Sequence, residues 1–390
     1  MLDFSGQALH IVLMEVRHLL ALVVLLPLAG CRPAPAPTTG EAVDSLLIGK
    51  PAPSLDGALV WLNGAEVTLA NVRGKVVLLY FFDYSCLNSI HTYPYLLEWE
   101  RRYAPLGLQV VGIHSPQFDF ELTPANVQLN VNRAGLTHPI AVDSDLKIAG
   151  AYHNRYWPRL LLLDKTGLVR FDHTGEGSYL DLERMIQKLL REITPKANMP
   201  TLMRPVHDFD RTNALCYVVT PELYLGHTRG DLGNPEASST NAIIPFRLPP
   251  VRTAGVIYAQ GTWSVHDEYM RHTMDQDELI DFLALEYQAT ELNVVMKPES
   301  VYWMKVFVTI DGQPVPKDFA GADITYDETG RSFVPTDTAR LYNLTRRQPY
   351  RDYEIRLSVH GKGLSVYGFS FGTSAIPTQA ATIRSAKERL

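Results

Sequence analysis

The first half of the chain alternates continuous apolar runs with amphipathic stretches. The run 75–82 (KVVLLYFF) is typical of a central strand that is covered on both faces. Further strands are predicted at 108–114, 138–142, 159–164 and 168–173, and helices at 90–103, 123–134 and 179–193. This alternation, which ends in a β-hairpin and a helix, predicts an α/β layer with helices on both faces of the sheet.

From residue 206 to 373 the pattern changes to short β-type runs that are separated by turns. The runs lie at 242–246, 254–262, 292–296, 302–310, 339–344, 353–359 and 364–371. Asp311-Gly312 and Lys362-Gly363 are turn signals between such runs. The segment 275–287 fits either a helix or a strand. Many short strands at near-regular spacing predict a β-sandwich.

The composition indicates two folded domains and excludes several functions. The chain has 390 residues, of which 46% are hydrophobic, and this is ample for two cores. A net charge of −6, from 36 basic and 42 acidic residues, argues against a general nucleic-acid binder. The twelve histidines are scattered, and CxxCH, HExxH and Gly-rich phosphate motifs are absent. The sequence therefore predicts no cofactor and no metal.

Three cysteines are too few for a disulfide scaffold, so each is interpreted individually. Cys31 follows the apolar run 19–28, which is too short to span a bilayer as a helix. The residues Leu28-Ala29-Gly30-Cys31 resemble a bacterial lipobox, in which the cysteine carries lipid. We therefore expect a signal peptide at 1–30, a Pro/Ala/Thr-rich tether at 31–45, and a protein anchored to a bacterial membrane and facing the periplasm. Met14 is an alternative start.

Cys86 lies between the predicted strand 75–82 and the following helix. A helix N-terminus has unpaired N–H groups and a partial positive charge, and both stabilise a thiolate. The pKa of such a cysteine is often lowered. The position therefore makes Cys86 a candidate nucleophile.

Several motifs agree in order and spacing with one family. LIGKPAPSL, RGKVVLLYFFDYSC and RYWP resemble thioredoxin-fold redoxins of the TlpA and ResA type, over about 46–195. YSCLNS, GIHSPQFDFE and TGEGSY are closer to the extracytoplasmic part of DipZ-type thiol-disulfide proteins. The resemblance implies a nucleophilic Cys86 and a cis proline at Pro158, which follows Trp157 and faces the cysteine.

The same resemblance covers the second domain. It implies a redoxin domain at 46–195, a linker at 196–205, and a jelly-roll sandwich at 206–373 that resembles carbohydrate-binding modules. Residues 374–390 form a polar tail that we expect to be flexible. Exposed aromatic side chains of the sandwich would stack on sugars, so a glycan-targeted redoxin is one hypothesis. A scaffold or protein-docking role is favoured over it.

The active-site motif departs from the family because Cys86-Leu87-Asn88-Ser89 replaces Cys-x-x-Cys. Ser89 cannot attack a mixed disulfide, so a self-contained dithiol cycle is excluded. Thiol-disulfide exchange or isomerase-type chemistry through Cys86 remains, with a disulfide-bearing protein or a small thiol as partner. The alternative is a redox-inactive binding or scaffold protein. A peroxidase is a weaker alternative, because Asp83 occupies the position of the threonine in Thr-x-x-Cys.

Three neighbours are candidate modulators of the thiol. Asp83 precedes Cys86 by three residues and would raise its pKa, whereas His91 would supply positive charge. Trp157 precedes the predicted cis proline. A solvated surface position is nevertheless favoured for Asp83 and His91. Cys216, in the apolar stretch LCYVV, is interpreted as a packed free thiol, with a disulfide to Cys86 as the alternative.

Overall fold

The protein is described by a computed structural model that covers residues 47–230, 232–236, 242–275, 278–299 and 303–377. The predicted signal peptide, Cys31, the tether and residues 378–390 of the predicted tail lie outside these ranges. Within the ranges, no helix is both long enough and apolar enough to cross a membrane.

A six-stranded sheet forms the centre of the first domain. Its strands are Val60–Leu62 (β1), Val76–Phe82 (β2), Leu108–His114 (β3), Ile140–Val142 (β4), Arg159–Leu163 (β5) and Val169–Thr174 (β6). The helices are Leu87–Tyr103 (α1), Pro124–Ala134 (α2), Lys147–Ala151 (α3) and Tyr179–Ile193 (α4). The strand order is β1-β4-β3-β2-β5-β6, in which β2, β3 and β4 are mutually parallel and β1, β5 and β6 pair antiparallel with their neighbours. The predicted α/β layer is confirmed.

β2 is buried along its whole length because helices or loops cover both of its faces. Leu78 and Tyr80 point to one face, where they pack in a cluster that contains side chains of α1, α2 and α4. Leu79 and Phe81 point to the other face and pack with α3 and the N-terminal segment. A strand that is buried on both faces needs an unbroken apolar run, and this is why its sequence was so distinctive.

α1 begins at Leu87, three residues before the predicted start, with Cys86 as its N-cap residue. The leading residues Asn88 and Ser89 are polar, so the apolar pattern did not reveal the first turn. Pro94 lies inside the helix. Cys86 is consequently even closer to the helix N-terminus than the sequence pattern indicated.

The strands of the second domain pair antiparallel with their neighbours in the sheets. They are Leu223–Tyr224 (β7), Ile243–Phe246 (β8), Ile257–Val265 (β9), Met270–His272 (β10), Phe282–Gln288 (β11), Glu291–Pro298 (β12), Met304–Ile310 (β13), Gln313–Pro314 (β14), Thr325–Tyr326 (β15), Ser332–Thr336 (β16), Arg340–Thr345 (β17), Asp352–Val359 (β18) and Leu364–Gly372 (β19). The ambiguous segment 275–287 contains the strand β11 and no helix in its described part.

β9 joins the two layers of this domain. Residues 257–260 pair with β11, and residues 261–265 pair with β8 and β10. One buried cluster contains Leu285 and Leu357 from the first layer together with Val294 and Val366 from the second. The predicted β-sandwich is confirmed.

The two domains share apolar packing. Val295, Leu341 and Tyr367 of the sandwich belong to the same buried cluster as α1, α2 and α4 of the first domain. The predicted linker also packs against the first domain, since the Met203 N–H donates to Glu183 Oε2 at 2.8 Å. In the predicted tail, Ala375 forms a β-bridge with Cys216. The second domain is therefore docked against the first.

Candidate functional site

Cys86 lies where β2 ends and α1 begins, and its side chain is partly exposed. Its thiol donates a long hydrogen bond to the carbonyl oxygen of Trp157, with 3.8 Å between sulfur and oxygen. The Trp157–Pro158 peptide bond is cis, as the resemblance implied. The fold thus brings Cys86 against the Trp157–Pro158 loop, although 71 residues separate Cys86 from Trp157 in the sequence.

Ser89 is fully buried in the first turn of α1, where the family has its second cysteine. Its carbonyl accepts a hydrogen bond of 2.8 Å from the Tyr80 hydroxyl. Its own N–H and hydroxyl would favour a thiolate at Cys86, which lowers the pKa of the thiol. In the neutral state the Ser89 hydroxyl has no hydrogen-bond partner among the described residues. Ser89 is therefore placed to stabilise a thiolate and has no means of resolving a disulfide.

The surroundings of Cys86 nevertheless favour the neutral thiol. Burial of the sulfur raises the pKa of Cys86 well above its usual range, and the negative charges of Asp83 and Glu222 raise it further. These effects outweigh the hydrogen bonds from Ser89. The expectation that the helix N-terminus lowers the pKa is wrong for this environment, because burial and nearby carboxylates were invisible in the local sequence.

Asp83 is completely buried, so the preference for a solvated surface position is wrong. Its Oδ1 accepts a hydrogen bond of 2.7 Å from the Ser85 N–H. The Ser85 hydroxyl bridges the two acids, donating to Glu121 Oε1 at 2.6 Å and lying 3.1 Å from Asp83 Oδ1. Burial raises the pKa of Asp83, and burial together with the Asp83 charge holds the pKa of Glu121 well above its usual range.

His114, at the end of β3, completes this buried group. One potential ligand atom from each of Asp83, His114 and Glu121 lies within 4.8 Å of the other two. The His114 ring stacks on Tyr84 with 5.2 Å between centroids. Burial lowers the pKa of His114 to about 3, so its imidazole is neutral.

The second domain reaches this site through Gln117. Its side-chain amide donates to Asp83 Oδ2 at 2.8 Å and accepts from Arg229 of the sandwich at 3.0 Å. The Arg229 guanidinium lies 4.8 Å from the centroid of Phe118 and 4.3 Å from that of Tyr224. Sequence reasoning missed these contacts because Arg229 is 112 residues from Gln117 and no local motif links them.

His91 is also buried, so its predicted surface position is wrong. Its Nδ1 lies 2.5 Å from Glu176 Oε1, and its Nε2 lies 3.7 Å from Glu291 Oε2 in the sandwich. Burial lowers the pKa of His91, but the two carboxylates outweigh this effect and raise it to about 10. The positive charge of His91 is therefore paired with Glu176 and Glu291 at the interface between the domains.

Cys216 forms a β-bridge with Ala375. The alternative of a disulfide between Cys216 and Cys86 is wrong, because Cys86 is a free cysteine. The two cysteines do not form a redox pair.

The sequence offers five aromatic candidates for sugar stacking in the sandwich, of which Tyr302 lies outside the described residues: Trp263, Tyr269, Tyr302, Trp303 and Tyr367. Trp263 and Tyr367 are completely buried, whereas Trp303 is 56% exposed. The Lys305 ammonium lies 5.8 Å from the centroid of the Trp303 ring. Of these three aromatic side chains, only Trp303 presents an accessible face.

Comparison with known proteins agrees with the geometry. Residues 48–172 match the AhpC/TSA family, and residues 220–372 match the family described as thioredoxin like C-terminal domain. The chain is 33% identical over 144 residues to the thiol-disulfide oxidoreductase YkuV of Bacillus subtilis, in a match that covers 37% of this chain and 96% of YkuV. The chain belongs to the thioredoxin-like redoxin family.

This redoxin has two further relatives of note. It is 30% identical over 146 residues to the thiol-disulfide oxidoreductase ResA of Bacillus thuringiensis, covering 37% of this chain and 80% of ResA. It is 30% identical over 325 residues to protein DipZ of Mycobacterium tuberculosis, covering 82% of this chain but only 43% of DipZ. The redoxin thus spans less than half the length of DipZ. The predicted resemblance to the TlpA, ResA and DipZ types is confirmed.

Proposed function

We propose that this redoxin performs thiol-disulfide exchange through the single thiol of Cys86, on protein or small-molecule disulfides. The observation that carries the proposal is the position of the Cys86 sulfur, 3.8 Å from the Trp157 carbonyl beside cis Pro158 at the start of α1. An extended substrate bound along this loop would bring its disulfide against Cys86. The similarity to the thiol-disulfide oxidoreductases YkuV and ResA supports the same chemistry.

The exchange has two steps. The Cys86 thiolate attacks one sulfur of the substrate disulfide, so a Cys86–substrate disulfide forms and the other substrate sulfur leaves as a thiolate that takes up the proton lost from Cys86. Ser89 has no thiol with which to attack this mixed disulfide. A second thiol, from the substrate or from a small thiol such as glutathione, attacks it and releases Cys86. Attack by another thiol of the substrate gives isomerisation. Attack by the external thiol leaves a disulfide between the substrate and that thiol, and a second external thiol then completes the reduction as the two external thiols leave joined by a disulfide.

The raised pKa of Cys86 slows the first step of this exchange. Only a thiolate attacks a disulfide, and burial together with the Asp83 charge keeps the Cys86 sulfur protonated. We therefore expect the exchange to accelerate as the pH rises.

The proposal includes attachment to a membrane. The sequence Leu28-Ala29-Gly30-Cys31 and the Pro/Ala/Thr-rich segment that follows it support a lipid on Cys31 and a periplasmic location. Radiolabelled palmitate should enter the full-length protein and should not enter a Cys31→Ala variant. Labelling of both proteins, or of neither, would contradict the anchor without affecting the exchange reaction.

The exchange reaction is tested with glutathione disulfide. Intact mass spectrometry should detect one glutathione on a protein in which Cys31 and Cys216 are replaced by alanine, and none when Cys86→Ala is added as the matched control. The rate of adduct formation should rise with pH, because only the thiolate attacks. Absence of an adduct at neutral and at alkaline pH would contradict monothiol exchange.

One observation favours a second function, a redox-inactive docking protein. The pKa of Cys86 is raised, and Ser89 removes the resolving thiol. In that case Cys86→Ala would leave the cellular phenotype intact and no partner would be trapped through Cys86. A trapped partner would decide in favour of exchange.

A further inference from the structure

Three ionisable side chains from separate segments meet beside the Cys86 site. Asp83 follows β2, His114 ends β3, and Glu121 lies in the short 3-10 helix Asp119–Leu122. All three are completely buried. Their candidate ligand atoms, two carboxylate oxygens and one imidazole nitrogen, are mutually within 4.8 Å.

Hydrogen bonds from neighbouring groups orient the two acidic side chains, and none of these groups carries a positive charge. Glu121 Oε2 accepts hydrogen bonds from the N–H groups of Gln117 at 2.6 Å and Phe118 at 3.1 Å. The Ser85 N–H and hydroxyl donate to Asp83 Oδ1 and Glu121 Oε1 respectively, and the Gln117 amide donates to Asp83 Oδ2. Within the described ranges, neither Asp83 nor Glu121 forms an ion pair with a lysine, arginine or histidine. Two buried carboxylates without a cationic partner are costly.

His114 provides an independent observation. It is completely buried, and neither of its ring nitrogens has a hydrogen-bond partner among the described residues. A buried polar group without a partner carries a substantial free-energy penalty. One of these unpartnered nitrogens belongs to the group of ligand atoms that lie within 4.8 Å of one another, so it faces the carboxylates.

We propose that Asp83, His114 and Glu121 bind a divalent transition-metal ion such as Zn²⁺, Co²⁺ or Mn²⁺. A neutral imidazole and two carboxylates are a ligand set that such ions accept, since borderline ions take nitrogen and oxygen donors together. The cation neutralises the two carboxylates and gives His114 the partner that it lacks. The Ser85, Gln117 and Phe118 groups then orient the carboxylate ligands, and the Tyr84 ring fixes the plane of the imidazole. The site does not depend on exchange activity at Cys86.

The experiment uses the full chain after treatment with a chelator. Zn²⁺ is added and binding is measured by calorimetry, and the bound metal is counted by elemental analysis after dialysis. We expect one equivalent of Zn²⁺ and an increase in Tm, because an ion that binds only the folded state stabilises it. Co²⁺ should give visible absorption bands that report its nitrogen and oxygen ligands.

Variants locate the ion. Asp83→Asn keeps the size of the side chain and should weaken binding by at least roughly 10- to 100-fold, and His114→Phe should do the same. His153→Ala, on the exposed surface, is the matched control and should bind like the wild type. Circular dichroism of each variant establishes that it is folded, and Asp83→Asn decides the matter if His114→Phe fails to fold.

Two results would overturn the proposal. The first is a folded wild-type protein that retains no metal and whose Tm does not respond to Zn²⁺, Co²⁺ or Mn²⁺, in which case the carboxylates share a proton instead. The second is binding that is unchanged in Asp83→Asn, which would place the ion elsewhere. Neither result bears on the glutathione adduct of Cys86, so the metal site and the exchange reaction fail or succeed separately.

Discussion

The thiol of Cys86 and the carbonyl oxygen of Trp157 lie 3.8 Å apart across the junction between α1 and the cis-proline loop. This contact places the only reactive atom of the CxxS motif against backbone that an extended substrate would use. Ser89, which ends the motif, is buried and lies three residues after Cys86 in the first turn of the helix. Ser89 therefore stands in the first turn of α1 at the position of the second cysteine of a Cys-x-x-Cys motif.

Ser89→Cys should restore dithiol chemistry. The new thiol would occupy the first turn of α1 next to Cys86, where it can attack a mixed disulfide and form an internal disulfide. We expect the variant to catalyse reduction of insulin by dithiothreitol faster than the wild-type protein, whose mixed disulfide must wait for an external thiol. Ser89→Ala is the matched control, since it removes the hydroxyl without adding sulfur. An inactive Ser89→Cys protein with an intact fold would argue that the cis-proline loop no longer accepts substrate.

The ion pairs of His91 should make stability dependent on pH. The pKa of His91 is about 10 in the folded protein and about 6.5 in an unfolded chain. A raised pKa gives stabilisation that is complete below about pH 6.5 and is lost as the pH rises through about 10. The facing groups are Glu176 and Glu291, with the His207 ring 4.9 Å away.

Urea unfolding at several pH values tests this contribution. Each unit of pKa shift corresponds to roughly 1.4 kcal/mol, so the difference in unfolding free energy between wild type and His91→Gln should shrink by a few kcal/mol from neutral to strongly alkaline pH. His153→Gln, at an exposed position, should keep the wild-type pH dependence. Parallel curves for wild type and His91→Gln would contradict the raised pKa.

Tyr367 should contribute to stability through both its ring and its hydroxyl. The ring packs 5.1 Å from Phe118 and 4.8 Å from Phe120, and the hydroxyl donates to Asp119 Oδ1 at 2.9 Å. Tyr367→Phe should cost about 0.5–1.5 kcal/mol for the lost hydrogen bond. Tyr367→Ala should cost about 3–5 kcal/mol for the additional cavity. Chemical denaturation measures both values, and equal costs would mean that the ring contributes no packing energy between the domains.

The buried ion pair of Arg159 should hold the strand that follows Pro158. Its guanidinium contacts Asp172 Oδ2 at 2.7 Å and donates to the Tyr152 carbonyl at 2.8 Å, and both charged groups are almost fully buried. Arg159→Met alone should cost about 3–5 kcal/mol, because it removes the guanidinium that pairs with the buried Asp172 carboxylate.

The double variant separates charge from packing at this position. Arg159→Met combined with Asp172→Leu should recover most of the lost stability, since no unpaired charge remains. Thermal and urea unfolding report the recovery. A double variant as unstable as Arg159→Met would show that the packing of the two long side chains matters more than their charges.

The fold could be predicted from the sequence because the main helices and strands are buried on one or both faces. Such burial produces a recognisable pattern of apolar residues within each element. β2 was predictable from its unbroken apolar run, and α4 from its amphipathic periodicity. The segment 275–287 was ambiguous, since a short stretch of mixed character is compatible with both periods. Its strand conformation follows from pairing with β9 and β18, which are distant in the sequence.

Only part of the candidate site could be predicted, because the rest depends on contacts between segments that are distant in the sequence. The Cys86–Ser89 motif and the cis proline carried a family signature, whereas the environment of the thiol is built from other segments. Asp83 is buried because Gln117 and Glu121 close over it, and His91 is buried because Glu291 of the second domain lies against it. The pattern of apolar residues around Asp83 and His91 does not indicate either contact.

The shared cluster of Val295, Leu341 and Tyr367 with the redoxin core has a consequence for dissecting this protein. A fragment that ends at the linker would leave Phe118 and Phe120 without their covering ring, and an exposed apolar patch of that kind favours aggregation. A fusion of the first domain to a different β domain would likewise need an aromatic side chain at the position of Tyr367 to cover Phe118 and Phe120. We therefore expect the two domains to be produced together. A fragment that ends at residue 205 would need polar substitutions on the apolar surface that the second domain covers.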